Sequence, residues 1–175
     1  MAQQYFVLGI GGTGMRCIES LIHLCAMGMF DDTDIHLLAL DTDKDNGNFN
    51  RLKEVKEAYL KAKGTDASQR TVLKETFFSA NIHYYEFSPN YEKKSDFKSV
   101  FNYDDTQFKN KEQTAIADLV LTKNVESFNL RHGYRAQTHL GSMMMYHSIL
   151  EAARSNNNSE LKTYLQKLIQ VAQNG

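Results

Sequence analysis

The sequence predicts an α/β domain with three layers, in which a mostly parallel sheet lies between helices. An apolar run at Tyr5–Leu8 is followed by a glycine-dense turn and then by a helix with Ile18, Leu21, Ile22 and Cys25 at helical spacing. Further runs with strand composition follow at Ile35–Leu40 and Ile82–Phe87. Strands that alternate with helices form parallel sheets with right-handed crossovers.

The remaining segments are assigned from periodicity and turn residues. The whole chain of 175 residues has the length of one domain. A polar stretch over 88–111 is expected to be a loop with a short helix, part of an excursion at about 44–111 that covers the site or a partner surface. Gly64, Thr65 and Asp66 are expected to break the second helix. Helices are predicted over residues 49–62, 67–78, 112–121, 142–153 and 159–171.

The glycine-dense turn has the sequence Gly9-Ile10-Gly11-Gly12-Thr13-Gly14. Glycines allow positive φ and let a ligand approach the backbone, and the N-terminus of the following helix attracts phosphate. The turn fits the G-x-G-x-x-G dinucleotide fingerprint, with Asp41 as the acidic residue, although farther along than usual. No Gly-Lys-Ser/Thr closes it, so it is not a Walker A loop. A tight turn without a ligand is the alternative.

An acidic cluster, Asp41 to Gly47, follows the second apolar run at the carboxyl end of a predicted strand, where open α/β sheets bind ligands. A calcium loop is a poor fit, because Asn46 and Leu52 stand at its sixth and twelfth positions. Asp41 and Asp43 match a phosphatase-type pair, but nothing further along supplies the other parts. A second ligand loop, touching ribose or Mg²⁺, and a solvated loop with capping aspartates remain.

A third segment, Arg131 to Gly141, is a polar loop punctuated by glycines that leads into a predicted helix. The order is a glycine turn after the first strand, Asp-Thr-Asp after the second, and a Gly-x-x-Ala-x-x-x-x-Gly loop later in the chain. This order resembles the N-terminal half of the nucleotide-binding domain of the tubulin/FtsZ superfamily, and in particular its bacterial tubulin-like members.

The resemblance implies a GTP- or GDP-binding module with a Rossmann-like fold, and Mg²⁺ as a possible companion ion. It assigns Asp41, Thr42 and Asp43 to the second ligand loop. Arg16 stands where FtsZ-like proteins carry an asparagine near the guanine. The residues that match the first phosphate loop are Gly9, Gly11, Gly12 and Gly14, with Thr13 tolerated as a helix cap. The residues that match the third loop, which senses the terminal phosphate, are Gly133, Ala136, Gln137 and Gly141.

The Gly-Gly-Gly-Thr-Gly-Thr/Ser-Gly loop of the family is missing from the sequence, as is its later acidic loop. We therefore expect a fragment of a longer protein, or a domain that lost these loops, and no GTP hydrolysis by this chain alone. Self-association or filaments are expected only of the parent protein. Arg131 and Arg135 are equally good candidates for pairing with phosphate and for surface salt bridges.

Composition narrows the class of protein further. The formal net charge is -1 and no long basic run is present, which argues against nucleic-acid binding. No apolar run has the length of a membrane span, and Cys17 and Cys25 are expected to be reduced, buried thiols of a cytoplasmic protein. Two alternatives to GTP or GDP binding remain, an NAD- or FAD-binding domain of an oxidoreductase and a non-catalytic interaction domain.

Overall fold

The computed structural model describes residues 3–43, 46–66, 77–89, 129–130, 138–154 and 159–174. Its strands are β1 (Gln4–Ile10), β2 (Asp34–Leu40) and β3 (Asn81–Phe87). Its helices are α1 (Gly11–Ala26), α2 (Asn48–Asp66), α3 (Thr138–Arg154) and α4 (Glu160–Asn174). The predictions for residues 90–111 and 112–121 lie outside the described residues.

The three strands form a parallel sheet in the order β1-β2-β3, as the sequence predicts. The central strand β2 is buried from Ile35 to Leu40, which explains why its sequence is apolar at every one of these positions except His36. A strand covered on both faces reads as an unbroken hydrophobic stretch, in contrast to the alternation of a half-exposed strand. The α/β class is therefore confirmed.

Helices pack on both faces of this sheet. On one face, Leu37 of β2 shares a core with Ile18 of α1 and Leu52 of α2. On the other face, Leu38 packs with Leu161 and Tyr164 of α4. Because successive side chains of a strand point in opposite directions, two adjacent leucines of β2 serve two different cores. We call these the α1/α2 face and the α4 face.

Helix α1 buries Ile18, Ile22 and Cys25, which lie on one side of the helix. Burial raises the pKa of the Cys25 thiol to about 11, so Cys25 stays protonated at neutral pH. Both cysteines are free, but Cys17 is exposed, so the prediction of a buried thiol is wrong there. Cys17 lies outside the row of buried residues that α1 packs against the sheet.

Helix α2 does not end where the sequence predicts, because it continues through Gly64 to Asp66. Glycine costs only about 1 kcal/mol in a helix, and tertiary contacts outweigh that cost. The Lys63 ammonium, one residue before Gly64, donates to the carbonyl oxygens of Ser79 and Ala80, both at 2.8 Å. Of the helix predicted over 67–78, residues 67–76 lie outside the described residues, and Phe77 and Phe78 form a turn.

The two C-terminal helices were predicted correctly in type. Helix α3 buries Leu140, Met144 and Ser148 at four-residue spacing, so Met144 is a core residue as expected. It begins at Thr138, four residues earlier than predicted. Helix α4 is joined to β3 at its first residue, where the Glu160 carboxylate accepts a hydrogen bond from the Glu86 N–H at 2.6 Å. None of the helices in the described parts of the chain is both long and apolar enough to cross a membrane.

Candidate functional site

The junction of β1 and α1 lies at the carboxyl end of the sheet. The strand ends at Ile10 and the helix begins at the next residue, Gly11, with no loop between them. Gly11 has a φ of +67°, and a Cβ placed on it would meet no atom of the described residues within 4 Å. Glycine is therefore required here by the backbone conformation, and open space lies beside it.

The prediction that Thr13 caps α1 is wrong. Ile10 occupies the N-cap position, makes no side-chain cap hydrogen bond, and leaves Thr13 as the third residue of the helix. The first N–H groups of α1 consequently have no side-chain acceptor from the N-cap residue. Such groups carry the positive end of the helix dipole and attract an anion.

Two of the glycines have a packing role. A Cβ on Gly14 would lie 2.7 Å from the carbonyl carbon of Gly9, and a Cβ on Gly9 would lie 2.8 Å from the Gly14 oxygen. Real Cβ atoms do not approach the backbone this closely, so α1 can contact β1 here only because both residues are glycine. Gly9 and Gly14 therefore set the position of α1, and this is enough to account for both.

The first side chain of α2 reaches Gly12 at the start of α1. A Cβ on Gly12 would lie 2.6 Å from Nδ2 of Asn48, the first residue of α2. Neither helix has an acidic side chain in its first turn. Two helix N-termini thus meet at the carboxyl edge of the sheet, and their dipoles add at this point.

The second predicted loop follows β2 on the same edge. The Asp41 N–H donates to the Phe87 carbonyl at 3.2 Å, and its side chain is buried. Its carboxylate accepts hydrogen bonds from the Asp43 N–H and from Asn46 Nδ2, both at 3.1 Å. Asp41 therefore shapes its own loop. Thr42 is also buried, whereas Asp43 is half-buried.

Asn46 connects this loop to α2. Its amide donates to Asp41, and its Oδ1 accepts a hydrogen bond from the Asn48 N–H at 2.9 Å. Farther along, the Arg51 guanidinium pairs with the Glu19 carboxylate of α1 at 2.8 Å. The hydrogen bond from Arg51 lowers the pKa of Glu19, so the pair is ionised at neutral pH. These contacts hold α1 and α2 side by side behind the site.

The structure brings the first two predicted loops together and leaves the third untested. Gly9, Gly11, Gly12, Thr13, Gly14, Asp41, Thr42 and Asp43 lie along one edge of the sheet, and Arg16 is exposed on α1. Gly141 lies inside α3 and not in a loop, which corrects the sequence prediction. The predictions for Arg131, Gly133, Arg135, Ala136 and Gln137 lie outside the described residues.

Sequence reasoning missed Asn46, Asn48 and Ser88. A recognisable capping signal could have identified the first two, because they form an asparagine pair at the start of a charged helix. Ser88 follows β3, and its hydroxyl oxygen is buried without a hydrogen-bond partner in the described part of the chain. Within the part of the chain that the structure describes, no group of three or more His, Cys, Asp or Glu side chains is arranged to hold a metal ion.

Fold and site together define an α/β protein with a candidate anion site at the carboxyl edge of a parallel sheet. No protein-family model, curated protein or solved structure matches this chain.

Proposed function

We propose that this chain is the nucleotide-binding module of a tubulin-like protein and that it binds GTP or GDP. The observation that carries the proposal is the meeting of two helix N-termini beside Gly11, where the backbone has a positive φ and open space next to it. Helix N-termini at the carboxyl ends of parallel strands are common phosphate sites.

In this proposal the N–H groups of Gly11, Gly12 and Thr13 hold the phosphates, and Gly14 sets the position of the helix that carries them. Asp43, which is half-buried at this edge, would contact the sugar or a Mg²⁺ ion shared with phosphate oxygens, and Asp41 accepts two hydrogen bonds that shape the loop. A terminal phosphate would be sensed by Gly133, Arg135, Ala136 and Gln137, and Arg16 would lie toward the base.

We also propose that the chain has a Rossmann-like fold of the tubulin/FtsZ type. The parallel β-α-β arrangement and the helices on both faces support such a fold. We propose that hydrolysis and any filament formation belong to a longer parent protein. A cytoplasmic location is proposed as well, since GTP is abundant there and the two free cysteines suit a reducing compartment.

NAD or FAD binding is the second candidate, and one observation favours it. In the dinucleotide fingerprint the third glycine serves close packing of helix on strand, and Gly14 has this role against Gly9. The fingerprint also needs an acidic side chain that accepts hydrogen bonds from a ribose. Asp41 is that residue by position, but both of its carboxylate oxygens are engaged within the loop. We therefore favour a mononucleotide.

A thermal-shift titration with GTP, GDP, ATP, NAD and FAD, each with and without Mg²⁺, tests the proposal. A ligand that binds only the folded state stabilises it, by about 2.7 kcal/mol at a hundred times Kd. For a chain of this size that corresponds to a rise in Tm of roughly 5–10 °C. A rise with GTP or GDP supports the proposal, a rise with NAD or FAD alone supports the second candidate, and no rise contradicts both.

The variant Gly11→Ala separates binding from stability. A Cβ at Gly11 would project into the space assigned to phosphate, and alanine at positive φ is strained by about 1–2 kcal/mol. The control is Gly28→Ala, because Gly28 has a φ of +83° but follows the other end of α1. We expect both variants to melt at similarly lowered temperatures, and only Gly11→Ala to lose the shift with GTP. If GTP raised the Tm of the two variants equally, phosphate would not bind beside Gly11.

A further inference from the structure

Three aromatic rings form a stack across the sheet on the α4 face. Phe6, His36 and His83 occupy the same register position on β1, β2 and β3. The His36 ring lies between the other two, with centroids 4.6 Å from each and interplanar angles of 10° and 14°. Tyr164 of α4 closes the stack, with its ring edge-on to Phe6 at 5.6 Å.

The surroundings of His36 in this stack disfavour a second proton on its imidazole ring. Its side chain is only 2 % exposed, and its Nε2 atom is buried with no hydrogen-bond partner among the residues that the structure describes. Its Nδ1 atom lies 3.5 Å from the Tyr85 hydroxyl, which is at the limit of a hydrogen bond. A protonated His36 would carry a buried charge and an unsatisfied N–H, so the neutral form is strongly favoured.

The groups around His36 add to this preference. Burial is the main cause of its lowered pKa, and the neighbouring His83 and Lys167 of α4 lower it further. Asp34, on the same strand, opposes them, but its carboxylate also accepts a hydrogen bond from Asn81 and lies 3.5 Å from His83. Two phenols, those of Tyr85 and Tyr164, also lie on this face. Burial raises the pKa of both, and the charge of Glu160 raises that of Tyr85 further.

We propose that this stack is a pH-sensitive latch that holds α4 on the sheet. Protonation of His36 places a positive charge in the stack beneath α4, where the charge of Lys167 repels it, and it weakens the packing of Phe6 and Tyr85 against Tyr164. Helices α1 and α2 pack on the other face through a separate core. Mild acid therefore loosens α4 first and leaves the α1/α2 face, with the candidate nucleotide site, in place.

The direction of the pH effect follows from the lowered pKa. An unfolded His36 takes up a proton near its ordinary pKa of 6.5, whereas the folded one resists until a lower pH. Between these two values the open state binds more protons than the closed one, so the closed state loses stability as pH falls. The contribution is fully present above pH 6.5 and is lost as pH falls toward the folded-state pKa.

Hydrogen exchange of the full chain, measured residue by residue between about pH 7.5 and about pH 5 and corrected for the intrinsic pH dependence, tests the latch. We expect protection in α4 to fall with pH while protection in α1 persists. The variant His36→Phe keeps an aromatic ring in the stack and should abolish the pH response. The control His23→Gln removes an exposed imidazole of α1 and should leave the response unchanged.

Several outcomes would contradict the proposal of a latch. If α1 and α4 lost protection together, the cause would be global unfolding. If His36→Phe kept the pH response, His36 would not be the group responsible for it. If His36→Phe does not fold, His83→Gln provides the test. Without the neighbouring charge the pKa of His36 rises, so α4 should keep more of its protection at the same acidic pH. An unchanged loss in that variant would contradict the proposal.

Discussion

The substitution Gly14→Val is expected to destabilise the protein by about 3 kcal/mol or more. Its Cβ would lie 2.7 Å from the carbonyl carbon of Gly9 and 2.9 Å from the Gly9 Cα. Both atoms belong to the backbone of β1, which is paired with the central strand along its length. The clash cannot be relieved by a rotamer change, so α1 must move away from the sheet and give up part of its buried face.

The matched control is Gly64→Ala, a substitution of a glycine that has space around it. Gly64 lies inside α2, and a Cβ there would meet nothing within 4 Å. We expect Gly64→Ala to stabilise the protein by about 0.5–1 kcal/mol, because alanine favours helix and restricts the unfolded chain. Urea denaturation measures both. A Gly14→Val variant as stable as the parent would contradict the role of Gly14 in packing.

The substitutions Leu37→Ala and Leu38→Ala are each expected to cost about 2–5 kcal/mol. The two leucines are neighbours on β2, are at most 2 % exposed, and belong to different cores. In a sheet covered on one face only, one member of such a pair would be solvent-exposed and tolerant. A large loss of stability in both variants would therefore indicate that helices cover both faces of the sheet.

Leu8→Ala provides the reference for this pair. Leu8 is opposite Leu38 in the register between β1 and β2, but it is 50 % exposed. Its truncation should cost about 1 kcal/mol or less, since little buried contact is lost. Denaturation of the three variants at one temperature gives the comparison. A cost for Leu38→Ala as small as that for Leu8→Ala would mean that α4 does not pack on the sheet.

Much of the fold could be predicted from the sequence because local pattern and tertiary role agree. The buried run Ile35–Leu40 is apolar except for His36, and α1 carries its apolar residues on one side. The end of α2 could not be predicted, because contacts between Lys63 and the segment before β3 stabilise it. The start of α3 was also missed, since a polar stretch with a glycine at 141 resembles a loop.

The site was predictable only in outline. A glycine motif does not reveal which of its glycines serves packing and which leaves space for a ligand. The structure separates them, with Gly9 and Gly14 in mutual contact and Gly11 beside open space. The sequence likewise pointed to Asp41 as a ligand contact, whereas hydrogen bonds from Asp43 and Asn46 give it a role in shaping the loop.

Mapping of backbone amide chemical shifts during titration with GTP and Mg²⁺ tests the central claim most directly. The proposal predicts saturable changes in residues 9–16 and 41–51, at the two meeting helix N-termini, with small changes in the amides of α4. GDP should affect the same residues. Absence of saturable changes at these positions, or changes centred on another part of the chain, would contradict a nucleotide site at the carboxyl edge of this sheet.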